Sequence, residues 1–208
     1  FIGRAALAFD DKLFVGLGAA SGTSKISTWD GTTHRDDRAS LEIPSCFALY
    51  RVTGGGDAIV AGYSTGNLIS YRPTGSSPGW TDVVPGAGTC TAYRMLSYKD
   101  TLWITTGGED LFSFNGTTLT RVQPATTGIA AGSVTRGLAI ANGNTLYMLY
   151  NTSGLSVRVA KYDGTTWTPI DKNLTTQFST LQQARDLVWY RGLLMAAGVT
   201  ASSGARLY

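Results

Sequence analysis

Charged residues are scarce in this sequence, as are the features that indicate nucleic-acid or membrane binding. Asp, Glu, Lys and Arg make up 15% of the 208 residues, against about a quarter in average proteins, and the net charge is +3. No run of Lys and Arg resembles a nucleic-acid-binding tail. No apolar stretch approaches the roughly 20 residues of a membrane span. We therefore expect neither nucleic-acid binding nor membrane insertion.

Histidine is nearly absent, since His34 is the single one in the chain. A His-based catalytic triad or a multi-histidine metal site needs more partners than this. His34 stands inside a Thr-rich turn motif, so we interpret it as a surface turn residue. No phosphate-binding or dinucleotide-binding fingerprint is present. These absences predict a chain that is not an enzyme, with no catalytic residue, no metal site and no cofactor.

Glycine and apolar residues, in contrast, are plentiful. The chain has 26 glycines, 43% hydrophobic residues and 11% aromatic residues. This composition excludes a disordered chain and is typical of many short strands joined by tight turns.

A hairpin motif recurs along the chain. Each copy has an aromatic strand end, an Asp-Gly or Asn-Gly turn and a Thr-rich strand, which together predict a β-hairpin. The clear copies are Lys161–Ile170, Ser113–Val122 and Thr28–His34, and a diverged copy lies within Ser70–Val83.

A second marker, a short apolar strand, precedes each motif. These strands are predicted at Lys12–Gly16, Ala58–Gly62, Thr101–Thr105, Thr145–Leu149 and Leu193–Ala197. Their anchor residues, Leu13, Ile59, Leu102, Leu146 and Leu194, are 43 to 48 residues apart, and the aromatic ends Trp29, Tyr71, Phe114, Tyr162 and Tyr208 keep a similar spacing. The strands are apolar on both faces, which predicts that each is packed from two sides.

A period near 45 residues with four short strands per unit is typical of propeller blades. We predict an all-β fold, a β-propeller of about five four-stranded blades in one domain over residues 1–208. The blades are expected at about 1–45, 46–89, 90–133, 134–182 and 183–208. The segment Phe1-Ile2-Gly3 is either a minimal closing strand or the start of a piece of a longer protein, and we favour the second interpretation.

The third unit, residues 102–116, resembles the propeller repeats of bacterial sensor ectodomains. The Trp-Asp-Gly and Tyr-Asp-Gly-Thr-Thr-Trp motifs resemble Kelch-like repeats of bacterial surface proteins and phage tail proteins. This resemblance implies a non-enzymatic binding or assembly module on an extracellular or virion surface.

One arginine lies near the first strand of each unit: Arg4, Arg51, Arg94, Arg136 and Arg185. First strands line the central channel of a propeller, so five guanidinium groups at one level would bind a carboxylate, phosphate or sulfate. The alternative is that each arginine pairs locally with carbonyls and acids.

Three further candidates remain open. Trp80 and Trp167, on presumed outer strands, are the better candidates for exposed aromatic contacts, although the tryptophans as a set favour packing between blades. Cys46 and Cys90, almost one period apart, form either a disulfide or two buried thiols. A glycoside hydrolase would need two carboxylates about 5 to 9.5 Å apart, and Asp186 is the acid that the first strands contain.

The sequence therefore predicts a non-catalytic binding or scaffold module that acts through protein partners or self-assembly. A lectin-like module that binds glycans is the first alternative, and a glycoside hydrolase-like propeller is the second.

Overall fold

The computed structural model describes residues 2–19, 23–40, 42–52, 56–75, 79–122, 129, 132–152, 156–170, 181–200 and 204–207. These residues form nineteen β-strands and no helix. The chain divides into two compact units, Phe1–Ile104 with Phe112–Arg121, and Thr105–Leu111 with Val122–Tyr208.

Three four-stranded antiparallel sheets make up the first unit, with the ends of β10, β11 and β12 assigned to the second. Sheet 1 contains β1 (Ile2–Phe9), β2 (Lys12–Gly18), β3 (Ser24–Trp29) and β4 (His34–Ser40). Sheet 2 contains β5 (Pro44–Val52), β6 (Gly56–Tyr63), β7 (Ile69–Pro73) and β8 (Thr81–Val83). Sheet 3 contains β9 (Arg94–Tyr98), β10 (Thr101–Thr105), β11 (Leu111–Phe114) and β12 (Leu119–Val122).

The second unit contains the remaining two sheets. Sheet 4 contains β13 (Val134–Ala141), β14 (Thr145–Asn151), β15 (Val157–Tyr162) and β16 (Trp167–Ile170). Sheet 5 contains β17 (Leu181–Tyr190), β18 (Leu193–Thr200) and β19 (Gly204–Leu207). Within every sheet the strands follow chain order, so each sheet is a simple meander.

The predicted all-β repeat architecture is confirmed, and each predicted apolar strand coincides with the second strand of a sheet. The prediction of five four-stranded units needs one correction, because sheet 5 has three strands among the described residues. The aromatic end predicted at Tyr208 and most of the connector between the fourth and fifth units lie outside the described residues.

Within each unit, the hydrophobic core lies between successive sheets. Sheet 2 shows why: Ile59, Ala61 and Tyr63 of β6 pack against Phe14 and Ile26 of sheet 1. The intervening residue Val60 points the other way, into a cluster with residues of sheet 3. In the second unit, Leu149 and Val159 of sheet 4 pack against Leu187 and Ala196 of sheet 5. The prediction that the second strands are packed on two faces is therefore confirmed for β6, whose residues from Ala58 to Tyr63 are all buried.

Glycine at position 62 permits the close packing of sheets 2 and 3. A Cβ atom there would lie 2.5 Å from the Cβ of Ala92 and 2.8 Å from the Sγ of Cys46. Real side chains do not approach so closely, so any larger residue would push the first strand of sheet 3 away.

The first hairpin turns use consecutive residues with positive φ. The pairs are Asp10-Asp11, Lys99-Asp100, Asn142-Gly143 and Arg191-Gly192, with φ between 47° and 87°. Two such residues in succession define a type I′ turn, whose twist matches that of the flanking strands.

The recurring hairpin motif is a second kind of turn, closed by one side-chain oxygen. Asp163 Oδ1 accepts hydrogen bonds from Thr165 N at 2.9 Å, Thr165 Oγ1 at 2.8 Å and Thr166 N at 3.0 Å. Asp30 and Asn115 make the same three bonds in sheets 1 and 3. These bonds explain the Asp/Asn-Gly-Thr-Thr pattern, because each position supplies an acceptor, a positive φ or a donor. They also lower the pKa of Asp30 and of Asp163 to about 2.

Replacement of Asp163 tests this turn. Asn115 fills the same role with an amide, so Asp163→Asn should leave the melting temperature at pH 7 unchanged, whereas Asp163→Ala should lower it. Because the pKa of Asp163 is lowered in the folded state, its ionised form contributes stability above about pH 4 that is lost as the pH falls towards 2. Asp163→Asn should therefore flatten the melting temperature between these pH values. An unchanged acid profile in Asp163→Asn would contradict the role of the carboxylate.

Candidate binding surfaces

Two of the five predicted arginines meet at one cavity in the first unit. Arg4 of β1 and Arg94 of β9 line a cavity of about 260 Å³. Its other described lining residues are Ser45, Ser64, Ala92 and Tyr93. The Arg94 guanidinium lies over the ring of Tyr93, 5.2 Å from its centroid, and donates a hydrogen bond to the Tyr93 carbonyl at 3.3 Å. Two cationic groups and several hydroxyls therefore surround the same space.

Arg51 does not join this cavity, so a ring with all five arginines at one level is wrong. Its Nε donates to Asp57 Oδ1 at 3.2 Å, close to the hairpin loop, and both side chains are largely exposed. The reason lies in how far each hairpin extends beyond its anchor. Arg51 and Arg94 both precede their anchors by eight residues, but β6 begins three residues before Ile59 and β10 one residue before Leu102. Arg51 is therefore the second-last residue of β5, whereas Arg94 is the first residue of β9.

A β-bulge identifies the true counterpart of Arg4. The pairing of first and second strands shifts at Arg4 in sheet 1, at Ser45 in sheet 2, at Arg136 in sheet 4 and at Arg185 in sheet 5. Ser45 is thus the sheet 2 residue at the level of Arg4, and it lines the same cavity. Ser45 could not be identified from the sequence, because no particular residue type marks the position of a β-bulge. In the second unit, Arg136 is half-buried and Arg185 is exposed.

Trp80 and Trp167, named above as the better candidates for exposed aromatic contacts, are both packed. Trp80 is half-buried, lies 6.2 Å from the ring of Phe14 and donates from Nε1 to Asp37 Oδ2 at 2.7 Å. Trp167 is buried and packs on Tyr162 with 5.0 Å between ring centroids. The exposed tryptophan is Trp29, with 42% of its surface accessible.

A buried ion pair joins sheets 1 and 2. Arg72 Nη1 donates to both carboxylate oxygens of Asp37 at 2.7 Å, and both side chains are mostly buried. Beside it, Arg38 Nη2 donates to both oxygens of Asp82 at 2.8 and 2.9 Å, and Ser70 donates to the same carboxylate. Burial opposes ionisation of Asp82, but the hydrogen bonds from Arg38 and Ser70 outweigh it and lower the pKa.

Of the two interpretations of Cys46 and Cys90, the structure agrees with two buried thiols and not with a disulfide, because both cysteines are buried and free. Burial raises the pKa of Cys46 to about 11, so this thiol forms little thiolate.

Sheet 1 carries an exposed apolar surface on the side away from sheet 2. Leu13 pairs with Trp29 on β3 and with Ala8 on β1, so the three side chains share one face. Leu13 is 40% exposed, whereas the anchors Ile59, Leu102 and Leu146 at the same repeat position are fully buried. We name Ala8, Leu13 and Trp29 the first apolar surface.

Sheet 5 carries a similar surface on the face opposite its core residue Leu187. Val188, Tyr190 and Leu193 are 50%, 55% and 65% exposed. Tyr190 pairs with Leu193, and Val188 lies two residues earlier on the same strand, so all three share a face. We name these residues the second apolar surface.

The described residues contain no group of three or more His, Cys, Asp and Glu side chains that could hold a metal ion. His34 is exposed, as predicted.

Asp186, the acid considered for glycoside hydrolysis, accepts a hydrogen bond from the backbone N–H of Leu187 at 2.9 Å. Across the described ranges, no helix is long and apolar enough to cross a membrane.

No protein-family model matches this chain, and no curated protein is similar in sequence. Solved structures do match. A nidogen/laminin complex aligns with a TM-score of 0.52 and 12% identity, over 94% of this chain and 72% of that one. The computationally designed Ika8 protein aligns with a TM-score of 0.54 and 11% identity, over 99% and 70%.

A third solved structure is the extracellular domain of a putative hybrid two-component system from B. thetaiotaomicron. It aligns with a TM-score of 0.63 and 15% identity, over 99% of this chain and 27% of that one. At these identities the likeness concerns the fold alone.

Removal of the charge on Asp37 tests the buried ion pair. Asp37→Asn leaves the Arg72 guanidinium buried without a counter-ion, which should lower the free energy of unfolding by about 3–5 kcal/mol. Asp36→Asn is the matched control, because the neighbouring Asp36 pairs with Lys25 at the surface and its loss should cost less than about 1 kcal/mol. Denaturant unfolding measures both. Equal losses would show that the Asp37 pair contributes no more than a surface pair.

The state of the cysteines is tested by alkylation at pH 8. We expect Cys46 to resist iodoacetamide in the folded protein, because a buried thiol with a raised pKa forms little thiolate. In denaturant without reductant, both cysteines should be labelled, as intact mass would show. Labelling that requires a reductant would reveal a disulfide.

Proposed function

We propose that the chain is a non-catalytic assembly module of the β-propeller type, in which the five sheets are blades and the two apolar surfaces dock further sheets of the same kind. The observation that carries this proposal is the exposure of Leu13 and Trp29. At the corresponding positions of the other sheets, the described residues are less exposed: Ile59, Leu102, Leu146 and Phe114 are buried, and Leu194, Tyr71 and Tyr162 are half-buried.

The chemistry of the two surfaces favours a protein partner over a small ligand. Each surface is an open sheet face with large apolar side chains, whereas the faces between sheets 1 and 2, between sheets 2 and 3 and between sheets 4 and 5 are covered by the neighbouring sheet. Contiguous exposed apolar patches mark protein interaction sites. The occupant we propose is a second copy, whose second apolar surface covers the first apolar surface of its neighbour in a head-to-tail contact.

An extracellular or virion surface is the proposed setting. The resemblance of the repeats to sensor ectodomains, Kelch-like surface proteins and phage tail proteins supports it. Among the similar folds, one was solved in a complex between nidogen and laminin and one is an extracellular domain.

Sedimentation velocity with two double variants tests the assembly. Leu13→Ser with Trp29→Ser removes the first surface, and Val188→Ser with Leu193→Ser removes the second. We expect the unaltered chain to form species larger than its 22.0 kDa monomer, and each variant alone to be monomeric. A mixture of the two variants retains one intact interface, so it should form a dimer and nothing larger.

A monomeric unaltered chain at all concentrations would rule out self-assembly. A mixture that stays monomeric, although the unaltered chain associates, would rule out the head-to-tail contact. Circular dichroism of each variant confirms that the sheets remain folded, since all four substituted residues are already exposed.

Glycan binding is a second candidate function, favoured by a groove beside Trp29. The groove has a volume of about 490 Å³ and is lined by Phe9, Leu13 and Trp29 together with the carboxylates of Asp10, Asp11 and Asp30. An exposed aromatic ring with nearby polar groups suits a sugar ring. A glycan array compared between the unaltered chain and Trp29→Ala tests this function, and signals that persist in Trp29→Ala would exclude the groove.

A further inference from the structure

We propose that the cavity between Arg4 and Arg94 binds the oxoanion of an acidic sugar, its carboxylate or sulfate. This site lies in the first unit, on the first strands of sheets 1 and 3 and the bulge of sheet 2. It is separate from both apolar surfaces and independent of the assembly proposed above.

The first argument is charge. Two guanidinium groups line the cavity, and none of its described lining residues is Asp or Glu. Guanidinium groups bind carboxylate and sulfate through paired charge-assisted hydrogen bonds. The volume of about 260 Å³ exceeds by several times the roughly 30 Å³ that one water occupies in the liquid. There is therefore space for an oxoanion and part of the group that carries it.

The second argument is that the Arg94 guanidinium is held in place before a ligand arrives. The Arg94 guanidinium stacks on the Tyr93 ring at 5.2 Å. The Arg4 side chain lies along the backbone of Gly18, where an added Cβ would be 3.4 Å from its Nε. Such pre-organisation reduces the entropy lost when the anion binds. The bulge at Arg4 and the bulge at Ser45 direct both residues to the cavity, a common use of bulges beside binding sites.

The third argument decides between a sugar and a peptide. A peptide strand pairs with free main-chain donors and acceptors, but two of the N–H groups beside the cavity already donate within the chain. Ala92 N donates to the Tyr63 carbonyl at 2.7 Å, and Ser64 N donates to the Ile43 carbonyl at 3.0 Å. Ser45 Oγ donates to the Ala92 carbonyl at 2.7 Å, which leaves its lone pairs to accept from a ligand hydroxyl. A hydroxyl acceptor beside an oxoanion site suits a sugar acid, because such a ligand carries both hydroxyl groups and a carboxylate.

NMR titration of the isotopically labelled chain tests this site through the Nε–H resonances of Arg4 and Arg94. The probes are glucuronic acid, its neutral counterpart glucose, sodium sulfate against sodium chloride at equal ionic strength, and triglutamate. We expect saturable shifts with glucuronic acid and sulfate, and none with glucose or chloride. Arg4→Gln should weaken glucuronic acid binding by roughly tenfold or more, the usual effect of losing a charge-assisted hydrogen bond.

Arg51→Gln is the matched control, since Arg51 is another first-strand arginine that lies outside the cavity. It should leave the affinity unchanged. Arg4 is exposed, so Arg4→Gln should fold normally, and an unchanged amide spectrum confirms this.

Several outcomes would overturn the proposal. Unchanged affinity in Arg4→Gln, or an equal loss in Arg51→Gln, would exclude the cavity. Equal shifts with glucose would show that binding does not require the anionic group. Tighter binding of triglutamate than of glucuronic acid would assign the site to acidic peptides instead. Binding of sulfate without glucuronic acid would reduce it to a site for a free inorganic anion.

Discussion

The structure depends on one constraint, the covering of β-sheets that are apolar on both faces. In β6, Ile59 and Val60 are adjacent in the chain and both fully buried, one against sheet 1 and the other against sheet 3. A single sheet with this sequence would expose one apolar face to water, at a cost proportional to the area exposed. Within each unit, one sheet therefore supplies part of the core of the next. The same constraint explains the interest of the two apolar surfaces, since apolar residues on a sheet face are exposed there.

Polar side chains then determine how neighbouring sheets align. Apolar contacts between sheet faces are non-directional, whereas the hydrogen bonds of Asp37 with Arg72 and Trp80 fix sheet 1 against sheet 2 at one register. Because Phe14 packs on Trp80 and under the Arg72 guanidinium, the polar and apolar contacts reinforce each other. The cavity of Arg4 and Arg94 lies on the strands whose spacing this alignment sets.

The parts that could be predicted from the sequence are those with local causes. Strand β10 was predicted at its observed limits, because an apolar run followed by a Gly-rich turn specifies a strand without help from distant residues. The arginine set failed for the opposite reason. Equal spacing of Arg51 and Arg94 from their anchors carried no information about where each hairpin turns, and the position of that turn decides which end of the strand each arginine occupies. Trp167 was a candidate for exposed contacts because it lies on a presumed outer strand, but its pairing opposite Tyr162 buries it. Which residue lies opposite on the neighbouring strand depends on how the two strands pair, and the sequence of one strand does not specify that pairing.

The Asp/Asn-Gly-Thr-Thr turn has a consequence for how the chain folds. All three bonds of Asp163 reach residues no more than three positions away, so this hairpin closes without waiting for any other part of the molecule. Hairpins of this kind form in about 1–10 μs. The meander order of each sheet keeps its strand pairing within one repeat, so every described strand pairs only with its neighbours in the chain. Such local pairing favours fast folding, because little loop-closure entropy is lost before the contacts form.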